Sequence, residues 1–149
     1  MTKLIVFDWG RTLFDNDANA LFPDTKELLA HLAMKYTLTI VSISKPEHIE
    51  HRERVINEHS LRPVFASIMF VGSNEKDAAY AKTLQQLGVA PQETVIVDDR
   101  VVRGIAWGNR NGGTTIWLKK GKFGNELPNE KTGTPTHTIH ELKELYKLI

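Results

Sequence analysis

The chain has 149 residues, 41% of them hydrophobic and 25% charged, which fits one globular domain with its own core and excludes general disorder. Nineteen Lys and Arg against eighteen Asp and Glu give a formal charge of +1, too even for a dedicated nucleic-acid binder. The absence of cysteine excludes a disulfide framework, a thiolate metal site and a cysteine nucleophile, and with no long apolar run and no secretory pattern the expectation is a cytoplasmic protein without a membrane partner.

The first apolar run is Leu4-Ile5-Val6-Phe7. Pro23-Asp24 with Glu27 predicts a helix start, Asp24 capping and Glu27 reaching back, and Leu28, Leu29 and Leu32 face the core. A second run, Leu38-Thr39-Ile40-Val41, leads to Ser44-Lys45-Pro46-Glu47 and a helix to about Glu58. Its apolar stripe is thin, Ile49 and Ile56, which predicts a peripheral helix. Ile68-Met69-Phe70-Val71 precedes a helix with Tyr80, Leu84 and Leu87 on one face, stopped by Gly88. Val95-Ile96-Val97 precedes a helix with Val102, Ile105, Ala106 and Asn109, ending at Gly112-Gly113. Thr115-Ile116-Trp117-Leu118 is the fifth run, residues 119–136 read as a surface loop, and Leu142, Leu145, Tyr146 and Ile149 form the face of a last helix. The runs are continuous rather than alternating, as for strands covered on both faces. The alternation of strands and helices predicts an α/β fold, a doubly wound three-layer α/β/α sandwich around a mainly parallel, Rossmann-like sheet of five or six strands.

In such sheets ligands bind beyond the carboxyl ends of the strands. Asp8 follows the first strand, Ser42 ends the second, Asp98-Asp99 ends the fourth, and Lys76 opens the third helix. Each has a commoner explanation alone: a turn or cap aspartate, an idle serine, a solvated lysine. Together, in order and at one sheet edge, they bring carboxylates, a hydroxyl and an ammonium to one place. Close carboxylates stay ionised only around a cation. Oxygen ligands with open positions suit Mg²⁺, and the lysine and serine suit a phosphate, so the residues read as a Mg²⁺-assisted phosphoryl-transfer site.

The same residues resemble the haloacid dehalogenase superfamily of phosphohydrolases. Its first motif, an apolar strand followed by Asp-x-Asp-x-Thr, reads here Phe7-Asp8-Trp9-Gly10-Arg11-Thr12-Leu13. The strand ending in Ser is Leu38 to Ser42, the lysine ahead of a Leu-Gly helix end is Lys76 before Leu87-Gly88, and the Asp-Asp strand end is Val95 to Asp99. Gly108-Asn109-Arg110-Asn111-Gly112 and Thr138 to Leu142 match the later segments, so the resemblance runs over nearly the whole chain. It implies a single domain over 1–149, with Asp8 as the nucleophile that forms an aspartyl phosphate. It implies Asp8, Asp99, Asp98 and the backbone carbonyl of Gly10 as ligands of Mg²⁺. Ser42 would hydrogen-bond a phosphate oxygen and Lys76 would neutralise charge. Two positions depart from the family: Gly10 replaces the Asp that protonates the leaving group, and Gly104 falls near the later acidic residue of the fourth motif. General acid–base help is worth about 10²–10⁴-fold, so hydrolysis of ordinary esters is expected to be weak. Asp15 and Asp17 read as loop caps rather than substitutes. Thirty-four residues separate Asp8 from Ser42, too few for a large cap domain, and capless members often act on large phosphorylated substrates.

Two other readings stay open. One is a catalytically impaired module that binds a phospho-ligand or a protein, motivated by Gly10 and Gly104. The other is 2-haloacid dehalogenation, whose family members also lack the second Asp of the first motif; the Asp98-Asp99 pair counts against it. A phosphorylation-receiver domain ranks last, because its phosphorylated Asp lies on the third strand. Trp9 either walls the site or packs beneath it. The segment from His48 to Arg54 reads as a solvated helix face of mixed charge. The lysines of residues 119–131 read as a solvated loop.

Overall fold

A computed structural model describes all residues, Met1–Ile149. In chain order it contains β1 (Leu4–Phe7), β2 (Phe14–Asp15), β3 (Ala20–Leu21), α1 (Thr25–Ala33), β4 (Thr37–Ile43) and α2 (Pro46–Glu58). Then follow β5 (Ser67–Val71), α3 (Lys76–Leu87), β6 (Thr94–Asp98), α4 (Ala106–Asn111), β7 (Thr114–Leu118), β8 (His137–Ile139) and α5 (Leu145–Leu148). Six strands form one sheet in the order β5-β4-β1-β6-β7-β8, and every neighbouring pair is parallel. This is the doubly wound α/β sandwich that the alternating pattern predicts, with six strands.

The burial of β1 explains why its run is unbroken. Its four side chains are fully buried. Ile5 and Phe7 point into a cluster with Leu28, Leu29 and Leu32 of α1. Leu4 and Val6 point to the opposite face, against Tyr80 and Leu84 of α3 and Trp107 of α4. Successive residues of a strand face opposite sides, so a strand covered twice is apolar at every position. The chain leaves β1 toward β4 and β5 on one side, then returns to β6, β7 and β8 on the other. That reversal puts the topological switch point at the carboxyl end of β1, where a crevice opens.

Between β1 and β4 the chain folds only the β2–β3 hairpin and α1. The hairpin escapes the sequence reading because its strands have two residues each, too short for any periodicity. Asp24 stands at the amino end of α1, but with φ 68° and no side-chain cap bond, so the predicted capping box does not form. Thr25 takes over there, its hydroxyl donating to the Phe22 carbonyl at 2.8 Å. α2 is peripheral, as its thin stripe predicts, with Ile56 as its one buried residue. Gly88 ends α3 in the left-handed conformation, φ 65°. The predicted fourth helix starts with a π-helical turn, Val101–Ile105, which buries Val101 and leaves Val102 exposed. The predicted last face is only half realised: Leu142 and Leu145 are buried while Tyr146 is exposed. No helix is long and apolar enough to cross a membrane.

Candidate active site

Asp8 is the first residue past β1, and its backbone N–H donates to the Val97 carbonyl of β6 at 3.0 Å. The chain then turns sharply: the Trp9 carbonyl accepts the N–H groups of Thr12, Leu13 and Phe14, and Arg11 adopts φ 62°. A non-glycine residue held there marks a constrained loop. Trp9 is buried and stacks on Phe14, with centroids 5.6 Å apart, so it packs beneath the site. Its N–H donates to Ser42 Oγ at 3.3 Å, which ties the loop to β4. Thr12 is fully buried, with its hydroxyl 3.5 Å from Asp8 Oδ2.

Lys76, at the first turn of α3, is buried between two carboxylates. Its Nζ donates to Asp8 Oδ1 at 3.2 Å and to Asp98 Oδ2 at 2.9 Å. Burial works against its charge, and Asp8 and Asp98 outweigh burial, holding its pKa well above the ordinary lysine value. Asp98, fully buried, is saturated with donors: besides Lys76 it accepts Gly104 N–H at 2.8 Å and Arg100 N–H at 3.0 Å. The π-helical turn exists around these bonds, an arrangement common at functional sites.

Asp99 differs. Its backbone carbonyl accepts the Trp117 indole N–H at 3.0 Å, but its Oδ2 is buried with no hydrogen-bond partner. Carboxylate oxygens of Asp8, Asp98 and Asp99 lie within 4.8 Å of one another. Burial first, then the charges of Asp8 and Asp98, push the Asp99 carboxyl up to about 9. Burial also raises Asp8, partly opposed by Lys76. An acid raised in the folded state holds its proton there at pH values where the unfolded chain has lost it. In chelator, stability should therefore fall as pH rises from about 4 toward 9, and Asp99→Asn should flatten that fall. Thermal unfolding across this range checks it; an unchanged slope in the variant would refute the assignment.

The structure thus brings Asp8, Gly10, Ser42, Lys76 and Asp99 to one pocket of about 200 Å³, with Asp98 directly behind Lys76. The pocket also holds residues the sequence reading missed. Arg11, Arg52, Arg100 and Arg103 line it, with Asn16. Arg11 lies inside the first aspartate motif and Arg100 directly follows the second, a signal that was available. Arg52 lies in the segment read as a solvated helix face, and this is corrected: its Nε is buried, and the guanidinium lies 5.8 Å from the Phe70 ring centre. The long loop after β7 contributes too, since Glu126 pairs with Arg100 at 3.1 Å and accepts Val101 N–H, while the Phe123 ring covers Arg100. Asp15 and Asp17 do not enter the pocket. Asp15 accepts the N–H groups of Asp17 and Ala18, and Asp17 pairs with Arg11 at 3.3 Å, as loop-capping residues do.

Comparison with known proteins agrees with this architecture. The HAD-hydrolase-like family model matches residues 74–145, which include Lys76, Asp98 and Asp99. A glyceraldehyde 3-phosphate phosphatase of Methanopyrus kandleri is 30% identical over 70 residues, covering 47% of this chain and 30% of that protein, so the match spans less than a third of the relative's length. A solved structure of an uncharacterized protein from Listeria monocytogenes serotype 4b superposes with TM-score 0.76 at 20% identity, over 98% of this chain and 96% of that one. The L-2-haloacid dehalogenase of Xanthobacter autotrophicus, with chloropropionic acid covalently bound, superposes with TM-score 0.75 at 15% identity, over 99% and 98%. At such identities the two structures speak for the fold alone.

Proposed function

We propose that this chain, haloacid dehalogenase-like in its fold and in the family model that residues 74–145 match, is a Mg²⁺-dependent phosphohydrolase working through an aspartyl phosphate on Asp8. The observation that carries the reading is the pairing of a buried, partnerless Asp99 oxygen with Asp8 on the floor of a cation-lined pocket. A buried carboxylate without a partner is costly, and a divalent cation offsets that cost, so the residues present fit the metal. Asp8, Asp99 and the Gly10 carbonyl would hold it, while Asp98, expected from the sequence as a further ligand, is taken up by Lys76 and the Gly104 and Arg100 N–H groups. Bound there, Mg²⁺ would supply positive charge to the phosphoryl oxygens and would let both carboxylates ionise.

Asp8 then attacks phosphorus with one carboxylate oxygen. The Ser42 hydroxyl donates to a phosphoryl oxygen, and the Lys76 ammonium offsets the charge of phosphate and nucleophile together. No acid stands at position 10, so leaving groups that need a proton depart slowly.

The test is hydrolysis of an activated aryl phosphate with Mg²⁺ and with chelator, beside Asp8→Asn. Turnover that needs both the metal and Asp8 is expected. Mg²⁺ is also expected to raise the unfolding temperature of the wild type and not of Asp99→Asn. Gly10 supports a second reading, a module that binds a phospho-ligand without turning it over; activity no higher than that of Asp8→Asn would favour it. The missing second acid at Gly10 leaves a third, 2-haloacid dehalogenation, and chloride release from a halo-acid in chelator would favour that one.

A further inference from the structure

Four arginines line the pocket, and they are not equivalent. Arg11 is paired with Asp17 and Arg100 with Glu126. Arg52 and Arg103 have no carboxylate partner, and in each the Nε is buried without a hydrogen bond. Arg103 makes one weak bond, from Nη1 to the Ser73 carbonyl at 3.4 Å. A buried donor left unmade costs about 1–3 kcal/mol, more for a charged group. Both side chains line one pocket with no carboxylate to neutralise them, which suits them to an anion that arrives there.

The position of Arg52 narrows the choice. A Cβ on Gly10 would meet Asn16 at 3.3 Å and Arg52 Nη1 at 3.4 Å. Position 10 is where the resemblance places the proton donor to the leaving group. A guanidinium therefore stands on the leaving-group side in place of a carboxylic acid. It donates no proton at neutral pH, but it holds a negative charge well. The pocket is small and polar, with Ile43 and Phe123 its only large apolar lining residues, so it has little to offer an apolar leaving group.

We propose that the site takes a phosphoanhydride, a phosphoryl group carried on a second phosphate whose charge Arg52 holds, with Arg103 available to the remaining oxygens. This rests on the phosphohydrolase reading and deepens it. Asp8 forms a bond to phosphorus, the bridging P–O bond breaks, and its electron pair stays on the departing phosphate. That oxygen needs no acid: phosphate esters take up their second proton at a pKa of about 6, whereas an alkoxide's parent sits near the ~16 of water. Water then attacks phosphorus, the Asp8 oxygen–phosphorus bond breaks, and the carboxylate returns. One proton of that water stays on the phosphate released from Asp8, and the other passes to solvent.

The experiment uses the full chain with Mg²⁺ and three probes: inorganic pyrophosphate, p-nitrophenyl phosphate and acetyl phosphate. A kcat/KM for pyrophosphate at least tenfold above that for the aryl phosphate is expected. Arg52→Gln should lower the pyrophosphate value about 10–100-fold, the worth of a hydrogen bond to a charged group, and at least tenfold more than it lowers the aryl value. Arg52→Lys should recover part of the loss. Imidodiphosphate, which cannot be cleaved, should compete with the aryl phosphate in the wild type and more weakly in Arg52→Gln. Pyrophosphate no better than the aryl phosphate, or an equal effect of Arg52→Gln on both, would overturn the phosphoanhydride assignment while leaving the phosphohydrolase reading intact. Preference for acetyl phosphate, whose acyl group carries no charge before cleavage, would overturn it too. Aryl phosphate hydrolysis that does not depend on Asp8 would remove the parent reading and this one with it.

Discussion

Lys76→Met is expected to lower stability by about 3–5 kcal/mol, the cost of removing one partner from a buried ion pair. Methionine fills much of the same volume, so the loss is electrostatic rather than a cavity effect. Lys76 Nζ is the only cation between Asp8 and Asp98, at 3.2 and 2.9 Å, and all three residues are buried. Without it two carboxylates face each other in a low-dielectric site, and at least one must take up a proton to stay there. The loss should therefore be larger at pH 8 than at pH 5. Removing all three charges together, in Asp8→Asn, Lys76→Met, Asp98→Asn, should recover most of it, because neutral replacement of a whole buried ion cluster is often tolerated. Denaturant unfolding at the two pH values measures this. A single variant within about 1 kcal/mol of the wild type would show that the lysine does not hold the carboxylates in the fold.

How far the sequence alone reaches is clear from which of these residues it exposes. Asp8, Ser42, Lys76, Asp98 and Asp99 are each anchored to the end or start of a regular element. Once the parallel sheet is inferred, topology carries all five to one edge. Arg52 and Arg103 are not anchored in that way. Arg52 sits two turns into α2 among His and Glu residues, and its inward direction depends on how that helix leans over β4 and β5. Periodicity cannot see this, because α2 buries a single apolar residue and so has no stripe to fix its rotation. The π-helical turn is hidden for a related reason. It forms where the Asp98 side chain accepts backbone N–H groups of Arg100 and Gly104, bonds that local helix propensity does not register. Glu126 is a third case: a long irregular loop after β7 gives no register by which to place it over Arg100.

The two glycines that the resemblance sets at acid positions should respond in opposite ways to an introduced carboxylate. At Gly104 a Cβ would come within 2.5 Å of Asp98 Oδ2 and 2.6 Å of the Tyr80 hydroxyl, closer than any Cβ sits in practice. Both neighbours are buried, and a carboxylate there would also face Asp98, so Gly104→Asp is expected to abolish folding or the site. At Gly10 the nearest atoms are the ends of Asn16 and Arg52, at 3.3 and 3.4 Å, which can swing aside. Gly10→Asp should fold. Its effect on chemistry then depends on Arg52. A guanidinium beside the new carboxyl lowers its pKa, which makes it a poor proton donor. Gly10→Asp alone is therefore expected to raise hydrolysis of an alkyl phosphate by less than tenfold. Paired with Arg52→Ala, it should approach the roughly 10²–10⁴-fold that general acid catalysis supplies, about 3–5.5 kcal/mol of barrier. The pH profile separates the causes: the double variant should lose activity as the introduced acid deprotonates, while the wild type should not share that limb. Equal alkyl phosphate rates in the single and double variants would mean that Arg52 does not occupy the acid's place, and that the leaving group departs from another side of the pocket.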